Sequence, residues 1–405
     1  MTQALTIKNA DVWNGKAFER RDLTMTDVIL DKPAKNAITV DLSGYSIFPG
    51  MINAHDHLEL NHYPRTKFRE RYDNAHQWGE DVNKRLNDEP FKTLRSYPLE
   101  DRLFIGGLKN LLCGATTVMH HNPPHKALFK RDFPVRVLKR YGWAHSLHFN
   151  TDEEVIASYL KTPPDVPWFI HIAEGTDEIA AGEYQRLKNL GCLQKNTVFI
   201  HGVGLKMEDV LDSGFIYGMD HPKGFMKLVW CPSTNYFLLG ESVYGRIIAA
   251  HARTALGSDS RLTADGDLLD EMRFAAEISP VKSYHDFVLQ SVTITAQIIR
   301  ATNTGHLQPS GVADLVVQKT SDEPVNRLCQ SSRADLALVV RGGIPQIGDP
   351  DIMARFPHIE TVRAELDGVP KAINVQLARQ ITKCSLKELG LELLEQPNQK
   401  RRTLW

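Results

Sequence analysis

The sequence predicts an α/β fold: a (β/α)8 TIM-like barrel with a small composite β-sandwich built from both ends of the chain. Two observations predict it. In the middle of the chain, short apolar runs alternate with helix-like segments, which is typical of parallel strands buried on both faces. Toward both ends, short alternating runs are broken by turn residues, which is typical of strands in a small sheet. With 405 residues, the chain is long enough for a large core and more than one structural unit.

The two ends of the chain supply the predicted sandwich. Residues 5–48 contain the runs LTIKNADVW, DVIL and AITVDLSGYSIF, and a second β-rich stretch covers 313–318 and 334–340. If these stretches pair, they enclose a central inserted domain. The predicted divisions are 1–49 and 305–345 for the two parts of the sandwich, 50–304 for the hydrolase barrel, and 346–405 for a mostly helical C-terminal extension.

The central domain contains the strands of the predicted barrel. After the run that ends in INAHDH, apolar runs follow at 115–119, 143–149, 167–173, 197–203, 226–231 and 254–258. Polar residues cluster where these runs end, and the C-terminal ends of barrel strands are where such folds carry their active sites. Residues 59–100 form a long excursion after the first strand, which we expect to act as a lid or a substrate-contacting loop.

Composition narrows the class of protein. Hydrophobic residues make up 42% and charged residues 24%, and the formal net charge is −1, so nothing indicates nucleic acid or an anionic membrane as a partner. The N-terminus has no signal-peptide pattern, and no apolar run approaches the length of a membrane span. The five cysteines are widely spaced and form no CxxC motif. A reduced, cytoplasmic protein with a small-molecule substrate is therefore expected.

His55 and His57 flank Asp56 in the run FPGMINAHDHLE, at the end of the first central strand. Alternate residues of an extended strand share one face, so both imidazoles can reach one ion. Taken alone, the pair is equally well explained as two ordinary surface histidines.

Three further strand ends carry residues suited to a metal site. His171 is a third neutral imidazole, and Glu174 either shuttles the proton of an acidified water or begins a helix. His201 is a ligand, a donor to the bound hydroxide or substrate, or a structural residue. Asp259 either ligates the metal and accepts a proton or caps a helix. In this order along the chain, the set predicts a metal-dependent hydrolase.

These motifs together resemble the amidohydrolase superfamily over nearly the whole chain. The matching pieces are FPGMINAHDHLE, GATTV at 114–118, HIAEG, FIHGV, CPSTN at 231–235, LGSDS followed by DLLDEMRFA, and the late GHLQPSGVADLVV and DLALVVRGG. Within the superfamily, the chain is most similar to the branch of cytosine, guanine and adenosylhomocysteine deaminases and triazine chlorohydrolases.

The resemblance implies one divalent metal, with Zn2+ as the first choice and Fe2+ as the second. Carried over by motif, the metal ligands are His55, His57, His171 and Asp259, and the catalytic residues are Glu174, His201 and Asp259. In this assignment Glu174 shuttles the proton and His201 orients the attacking hydroxide. Dinuclear members use a carboxylated lysine on strand four, where this chain has WAHSLHF and no lysine. One metal is therefore expected.

Four residues near the strand ends are candidate substrate contacts. His120 and His121 follow a predicted strand in VMHHNPPH, where the branch gives no reason to expect a histidine pair, and a solvated loop is the alternative. Asn235 either bonds to substrate or is a turn residue. Arg65, in the long excursion, would suit an anionic group on the substrate.

The expected function is a metal-dependent aminohydrolase, or deaminase. A metal-bound hydroxide attacks an amino-bearing C=N carbon of a small heterocyclic substrate, and ammonia leaves. The alternatives are hydrolysis of a cyclic amide or imide and a chlorohydrolase-type reaction on a C–Cl bond. A non-catalytic scaffold of the same fold is a further alternative, but all ligand positions are filled, which argues against it. Members of the branch often dimerise, so a homodimer is one candidate oligomeric state.

Overall fold

The computed structural model describes residues 3–213, 227–243, 253–279 and 283–397. Before residue 50, the described part contains six short strands: β1 Leu5–Lys8, β2 Asp11–Trp13, β3 Phe18–Arg20, β4 Leu23–Met25, β5 Ile38–Asp41 and β6 Tyr45–Pro49. β1 pairs with β4 and β5 in a separate sheet, whereas β2, β3 and β6 join a larger one. The short alternating runs at the start of the chain therefore form strands, as predicted.

The central domain contains eight strands within the described ranges: β7 Met51–Asp56, β8 Ala115–His120, β9 Arg136–Val137, β10 Gly142–Ser146, β11 Trp168–Ile172, β12 Thr197–His201, β13 Lys227–Trp230 and β14 Thr254–Leu256. All the predicted central runs are strands, although residue 226, at the start of one of them, lies outside the described residues. β9 is not among the predicted strands, because two residues are too few to show a periodic pattern.

The central strands form two parallel sheets, β7-β8-β9 and β10-β11-β12-β13-β14. Hydrogen bonds join the sheets at both seams. The amide of Asp259 donates to the carbonyl of His55 at 3.0 Å, and His121 Nε2 donates to the carbonyl of Ala144 at 2.9 Å. Among the residues described, no continuous ladder pairs β9 with β10 or β14 with β7. The architecture observed is α/β, with parallel strands brought edge to edge.

Helices surround these strands: α1 Ala75–Lys84, α2 Phe91–Ser96, α3 Leu99–Leu112, α4 Asp152–Lys161, α5 Glu178–Asn189, α6 Met207–Asp212, α7 Pro232–Leu239, α8 Leu268–Ile278, α9 Tyr284–Ser291 and α10 Thr293–Ile298. Their starts follow ordinary capping rules. Thr151 and Glu154 form a reciprocal capping box at α4, and Asp267 caps α8. A membrane span needs roughly 20 apolar residues, and no helix in the described ranges meets that requirement.

The two ends of the chain pair with each other, as predicted. The remaining elements are β15 Leu315–Lys319, α11 Pro324–Gln330, β16 Leu338–Arg341, β17 Ile344–Gly348, α12 Pro350–Met353, β18 Thr361–Leu366, β19 Val369–Asn374, α13 Val375–Lys383 and β20 Leu391–Leu393. β15 runs antiparallel to β6, with Leu315 opposite Pro49 and Val317 opposite Ile47. Apolar side chains of β1, β4 and β5 share one buried cluster with those of β6, β15 and β16.

The expectation of a mostly helical C-terminal extension is wrong for the described part, 346–397. β18, β19 and β20 extend the large sheet, and only α12 and α13 are helical there. In β18, Val362, Ala364 and Leu366 are buried and alternate with less buried residues, so the period is that of a strand. Residues 398–405 of the predicted extension lie outside the described residues.

A fully buried ion pair connects the first central strand to α3. Lys109 Nζ lies 2.9 Å from Asp56 Oδ2, and both side chains are 0% exposed. Asn110 and Asn61 also donate to the Asp56 carboxylate, at 2.7 and 2.8 Å. Lys109 in turn donates to the carbonyl oxygen of Asp259 at 3.2 Å. The pair therefore fixes β7 and the end of β14 to the same helix.

We predict that Lys109→Met destabilises the protein by about 3–5 kcal/mol, because it leaves the Asp56 carboxylate buried without its cation. Urea unfolding of the purified variant measures this change. The matched control is Lys130→Met, which removes an exposed ion pair with Glu100 and should change stability by no more than about 1 kcal/mol. Equal, small effects of the two substitutions would contradict the structural importance of the buried pair.

Candidate metal centre

The residues predicted to bind metal come together at the C-terminal ends of the central strands. His55 Nε2 lies 3.2 Å from His171 Nε2 and 3.7 Å from Asp259 Oδ1. His57 Nε2 lies 3.8 Å from the same carboxylate oxygen. All four side chains are buried. Ligand atoms around an ion bound at ~2.0–2.2 Å lie roughly 3–4 Å apart, so these spacings suit a single ion.

Two overlapping groups have ligand atoms within 4.8 Å of one another: His55, His121 and His171, and His55, His201 and Asp259. Burial is the largest cause that lowers the pKa of His55 and His171 well below the ordinary value. Burial also lowers the pKa of His201 to about 4. These imidazoles are therefore neutral at physiological pH, which is the form that binds metal. The donor set and its protonation state fit a divalent cation.

The backbone adopts the left-handed conformation at or just after the ends of β11, β12 and β14. Ala173, His201 and Asp259 have φ angles of 51°, 72° and 54°. Non-glycine residues rarely adopt this region, and such strain concentrates at functional sites. At the same edge, Gly257 allows close approach to β7, because a Cβ at that position would lie 2.7 Å from the Cβ of His55. The local backbone therefore supports the inward placement of these side chains.

The carboxylate of Asp259 accepts hydrogen bonds from two threonine hydroxyls. The hydroxyls of Thr234 and Thr263 donate to its Oδ2 at 3.2 and 3.1 Å, while Oδ1 is the oxygen that lies near the histidines. The alternative that Asp259 caps a helix is wrong, because the next helix, α8, begins at Leu268 and is capped by Asp267.

Glu174 lies beside His201 at the same edge. Its Oε1 is 3.4 Å from His201 Nε2, and its side chain is 12% exposed. Burial, followed by the nearby charges of Asp259 and Glu183, raises the pKa of Glu174 well above its ordinary value. The alternative that Glu174 begins a helix is wrong, since α5 begins at Glu178. The carboxyl is thus placed and tuned to hold a proton near the metal ligands.

The four predicted substrate contacts are placed away from the cavity wall. Arg65 donates to the carbonyls of Thr263 and Ser233 and to Asp265 Oδ1, so its guanidinium connects two strand-end loops. Asn235 Nδ2 donates to His201 Nδ1 at 3.0 Å, which leaves the proton of neutral His201 on the Nε2 that faces Glu174. These placements correct the expectation for Arg65 and Asn235, because the guanidinium of Arg65 and the Nδ2 of Asn235 bond to other protein groups.

The two adjacent histidines have different surroundings. His120 Nδ1 accepts from the amide of Leu58 at 3.3 Å, and its ring is fully buried. His121 stacks on His171 with ring centroids 4.3 Å apart. Neither residue lines the cavity, so the predicted substrate contacts are corrected. The alternative of a solvated loop is wrong as well, because His120 ends β8, His121 follows it, and both side chains are fully buried. Sequence reasoning identified the two histidines but did not predict that their side chains are buried.

A cavity of about 500 Å3 opens over these residues. Its floor includes Glu174 and His201 together with the proposed ligands His57, His171 and Asp259. The long excursion supplies one wall of the cavity, through Leu60, Tyr63, Ala75, His76, Trp78, Gly79, Val82, Asn83, Leu86 and Phe91, and its role as a lid or substrate-contacting loop stays a prediction. The site therefore combines a polar floor with a largely apolar wall, as in many small-molecule sites.

Sequence reasoning missed His145, His76 and Glu183, which also line the cavity. His145 lies at the end of β10, and its ring centroid is 4.9 Å from that of His171. Glu183 Oε2 accepts from the Ala173 amide at 2.6 Å, and its Oε1 lies 3.3 Å from His76 Nε2. The position of His145 at the end of a predicted strand was a usable signal. Nothing in the sequence connects Glu183 on α5 to His76 on α1.

Several solved structures of other proteins are similar to this chain. One is an adenosine deaminase from Xanthomonas campestris with bound zinc (TM-score 0.66, 16% identity, 87% of this chain and 96% of that one). Another is the atrazine chlorohydrolase of Arthrobacter aurescens with zinc (TM-score 0.67, 16% identity, 87% and 99%). The chain shares the fold of these two enzymes. An aminofutalosine deaminase from Helicobacter pylori with methylthio-coformycin is also similar (TM-score 0.57, 14% identity, 85% and 99%). Searches against protein-family models and curated proteins find no match.

Glu183 generates a prediction about pH. Burial raises the pKa of Glu183 from 4.5 to about 7, so the folded protein binds this proton more tightly than the unfolded chain. The resulting stabilisation is fully present below the unfolded pKa and is lost as the pH rises through about 7. Glu183→Gln removes this titration. The stability of the wild type relative to the variant should fall between pH 5 and pH 8, by on the order of 3 kcal/mol. Urea unfolding of both metal-free proteins measures this, and a pH-independent difference would contradict it.

Proposed function

We propose that this protein is a zinc-dependent aminohydrolase that removes an amino group from the C=N carbon of a small heterocyclic substrate and releases ammonia. The observation that carries the proposal is the convergence of His55, His57, His171 and Asp259 at one place. His57, His171 and Asp259 line the cavity beside Glu174, and His55 lies buried behind them. The zinc in two of the similar structures supports this choice of metal.

The proposed ligands of the ion are His55, His57, His171 and Asp259. A bound zinc ion would lower the pKa of a water molecule and so make a nucleophile available at neutral pH. Asp259 also keeps a carboxylate oxygen near the site of attack, while the two threonine hydroxyls on Oδ2 prevent its rotation. The three histidines would contribute nitrogen donors, and the lowered pKa values of His55 and His171 keep those two rings neutral.

Glu174 is proposed to move the proton. It would take one proton from the attacking water and give it to the ring nitrogen of the substrate. The second proton of that water, left on the new hydroxyl group at the attacked carbon, would then pass through the same carboxylate to the departing amine. One C–O bond forms and one C–N bond breaks, so water and substrate yield the carbonyl product and ammonia. His201 Nε2 carries a proton 3.4 Å from Glu174 and donates a hydrogen bond to the oxygen nucleophile.

The cavity supports a compact, partly apolar substrate. Trp78, Phe91 and Val82 offer flat and aliphatic contacts on one wall, and the polar floor contains the reacting groups. Two of the similar structures are deaminases and one is a chlorohydrolase, so deamination is favoured while halide loss is retained as the second reaction.

A homodimer stays a prediction, and so do the proposed domain divisions.

We also infer that the eight central strands form a (β/α)8 barrel and that the chain ends form a composite sandwich around it. Hydrogen bonds across both seams support the barrel. The antiparallel pairing of β6 with β15 and the shared apolar cluster support the sandwich. This arrangement places all proposed ligands at the C-terminal mouth, where such barrels carry their chemistry.

The reaction is tested by ammonia release from zinc-loaded protein across a panel of aminated pyrimidines, purines, pterins, triazines and amino-imidazoles. At least one ring class should release ammonia, and treatment with a chelator should abolish the release. Chloro-triazines and cyclic imides in the same panel detect the alternative reactions. Turnover of only these compounds would contradict the deaminase proposal while retaining the metal site.

Glu174→Gln should retain zinc but lower turnover by roughly 10²–10⁴-fold, because the amide cannot carry the proton. Metal content by mass spectrometry and the ammonia assay measure the two effects. The matched control is Glu178→Gln, whose side chain is 96% exposed and should leave the rate unchanged. A near-normal rate in the Glu174 variant would remove this residue from the mechanism.

A further inference from the structure

We propose that His121 supplies an additional ligand to the metal through its Nδ1 atom. This inference rests on the metal site of the proposed function and goes beyond its four ligands. One ligand atom from each of His55, His121 and His171 lies within 4.8 Å of the others, and all three side chains are buried. This group contains no residue of the second group except His55.

The hydrogen bonding of His121 fixes its tautomer. Nε2 lies 2.9 Å from the carbonyl oxygen of Ala144, which can only accept, so Nε2 carries the proton. Burial lowers the pKa of His121 well below the ordinary value, and the ring is therefore neutral. Nδ1 is left with a lone pair and has no hydrogen-bond partner. Metal-binding histidines typically have this arrangement, with one nitrogen donating to a carbonyl and the other on the ion.

The backbone fixes the ring relative to the other ligands. The His121 amide donates to the carbonyl of Asp56 at 3.0 Å, and Asp56 lies between His55 and His57. The His121 ring stacks on His171 at 4.3 Å and meets His55 edge-on at 5.2 Å between centroids. The ring therefore has little freedom to turn away from the group.

Two other roles for His121 explain less. A substrate contact would need the ring at the cavity wall, where it does not lie. A purely structural core residue would leave a buried acceptor unsatisfied, which costs about 1–3 kcal/mol. His120 differs in which nitrogen is unpartnered: its Nδ1 accepts from the Leu58 amide, so its unpartnered Nε2 carries the proton and offers no lone pair to an ion. With His121, the protein would offer five ligands, and the water of the proposed function would be a sixth, so the site would suit an ion that accepts octahedral coordination.

The test compares His121→Ala with two other variants. His55→Ala removes a ligand of the proposed function, and His125→Ala removes a partly exposed histidine from the same loop. Zinc affinity is measured by competition with a chelator, and cobalt-substituted protein reports coordination number through its visible absorption. We expect His121→Ala to weaken zinc binding by about 10-fold or more and to change the cobalt spectrum. His125→Ala should match the wild type.

The outcomes separate the two proposals. If His121→Ala keeps wild-type affinity and spectrum while His55→Ala loses zinc, His121 is not a ligand and the proposed function stands. If His55→Ala also keeps zinc, both proposals fail. Circular dichroism checks the fold, and His121→Gln, which retains a side-chain donor for the Ala144 carbonyl, serves if the alanine variant does not fold. Normal zinc affinity and cobalt spectrum in the glutamine variant would likewise overturn the proposal.

Discussion

The arrangement of the site depends on the buried ion pair between Lys109 and Asp56. Asp56 ends β7 between His55 and His57, so the carboxylate that Lys109 holds belongs to the residue directly between two proposed ligands. The same ammonium donates to Ser258 Oγ and to the Asp259 carbonyl. One cation thus fixes both sides of the seam between β7 and β14. A buried ion pair is weak evidence for net stability, and here its value lies in the position it imposes.

Burial then sets the chemistry of the groups that this frame positions. It holds the histidines neutral and raises the pKa of Glu174, so nitrogen lone pairs and a proton-holding carboxyl face the same space. Both are properties that a hydrolytic metal site requires. The left-handed backbone at His201 and Asp259 contributes to the same arrangement, because it orients these side chains toward the site at the ends of otherwise regular strands.

Much of this arrangement could be predicted from the sequence, because the proposed ligands recur at the ends of the apolar runs that form the central strands. His55, His171 and His201 each end an apolar run, and parallel strands bring such ends to one edge. Other features could not be predicted. β9 has two residues, and Asp56 and Lys109 have no sequence pattern that marks them as partners across the fold. Arg65 and His120 were predicted to contact substrate, but the orientation of each side chain depends on packing that only the tertiary structure specifies.

The most direct test of the account is a crystal structure of the zinc-loaded protein with anomalous diffraction recorded at the zinc edge. The account predicts a strong peak on the cavity floor, with His55, His57, His171 and Asp259 at about 2.0–2.2 Å from it. A zinc-loaded crystal with no peak there, or with the ion bound by other residues, would contradict the proposed metal centre.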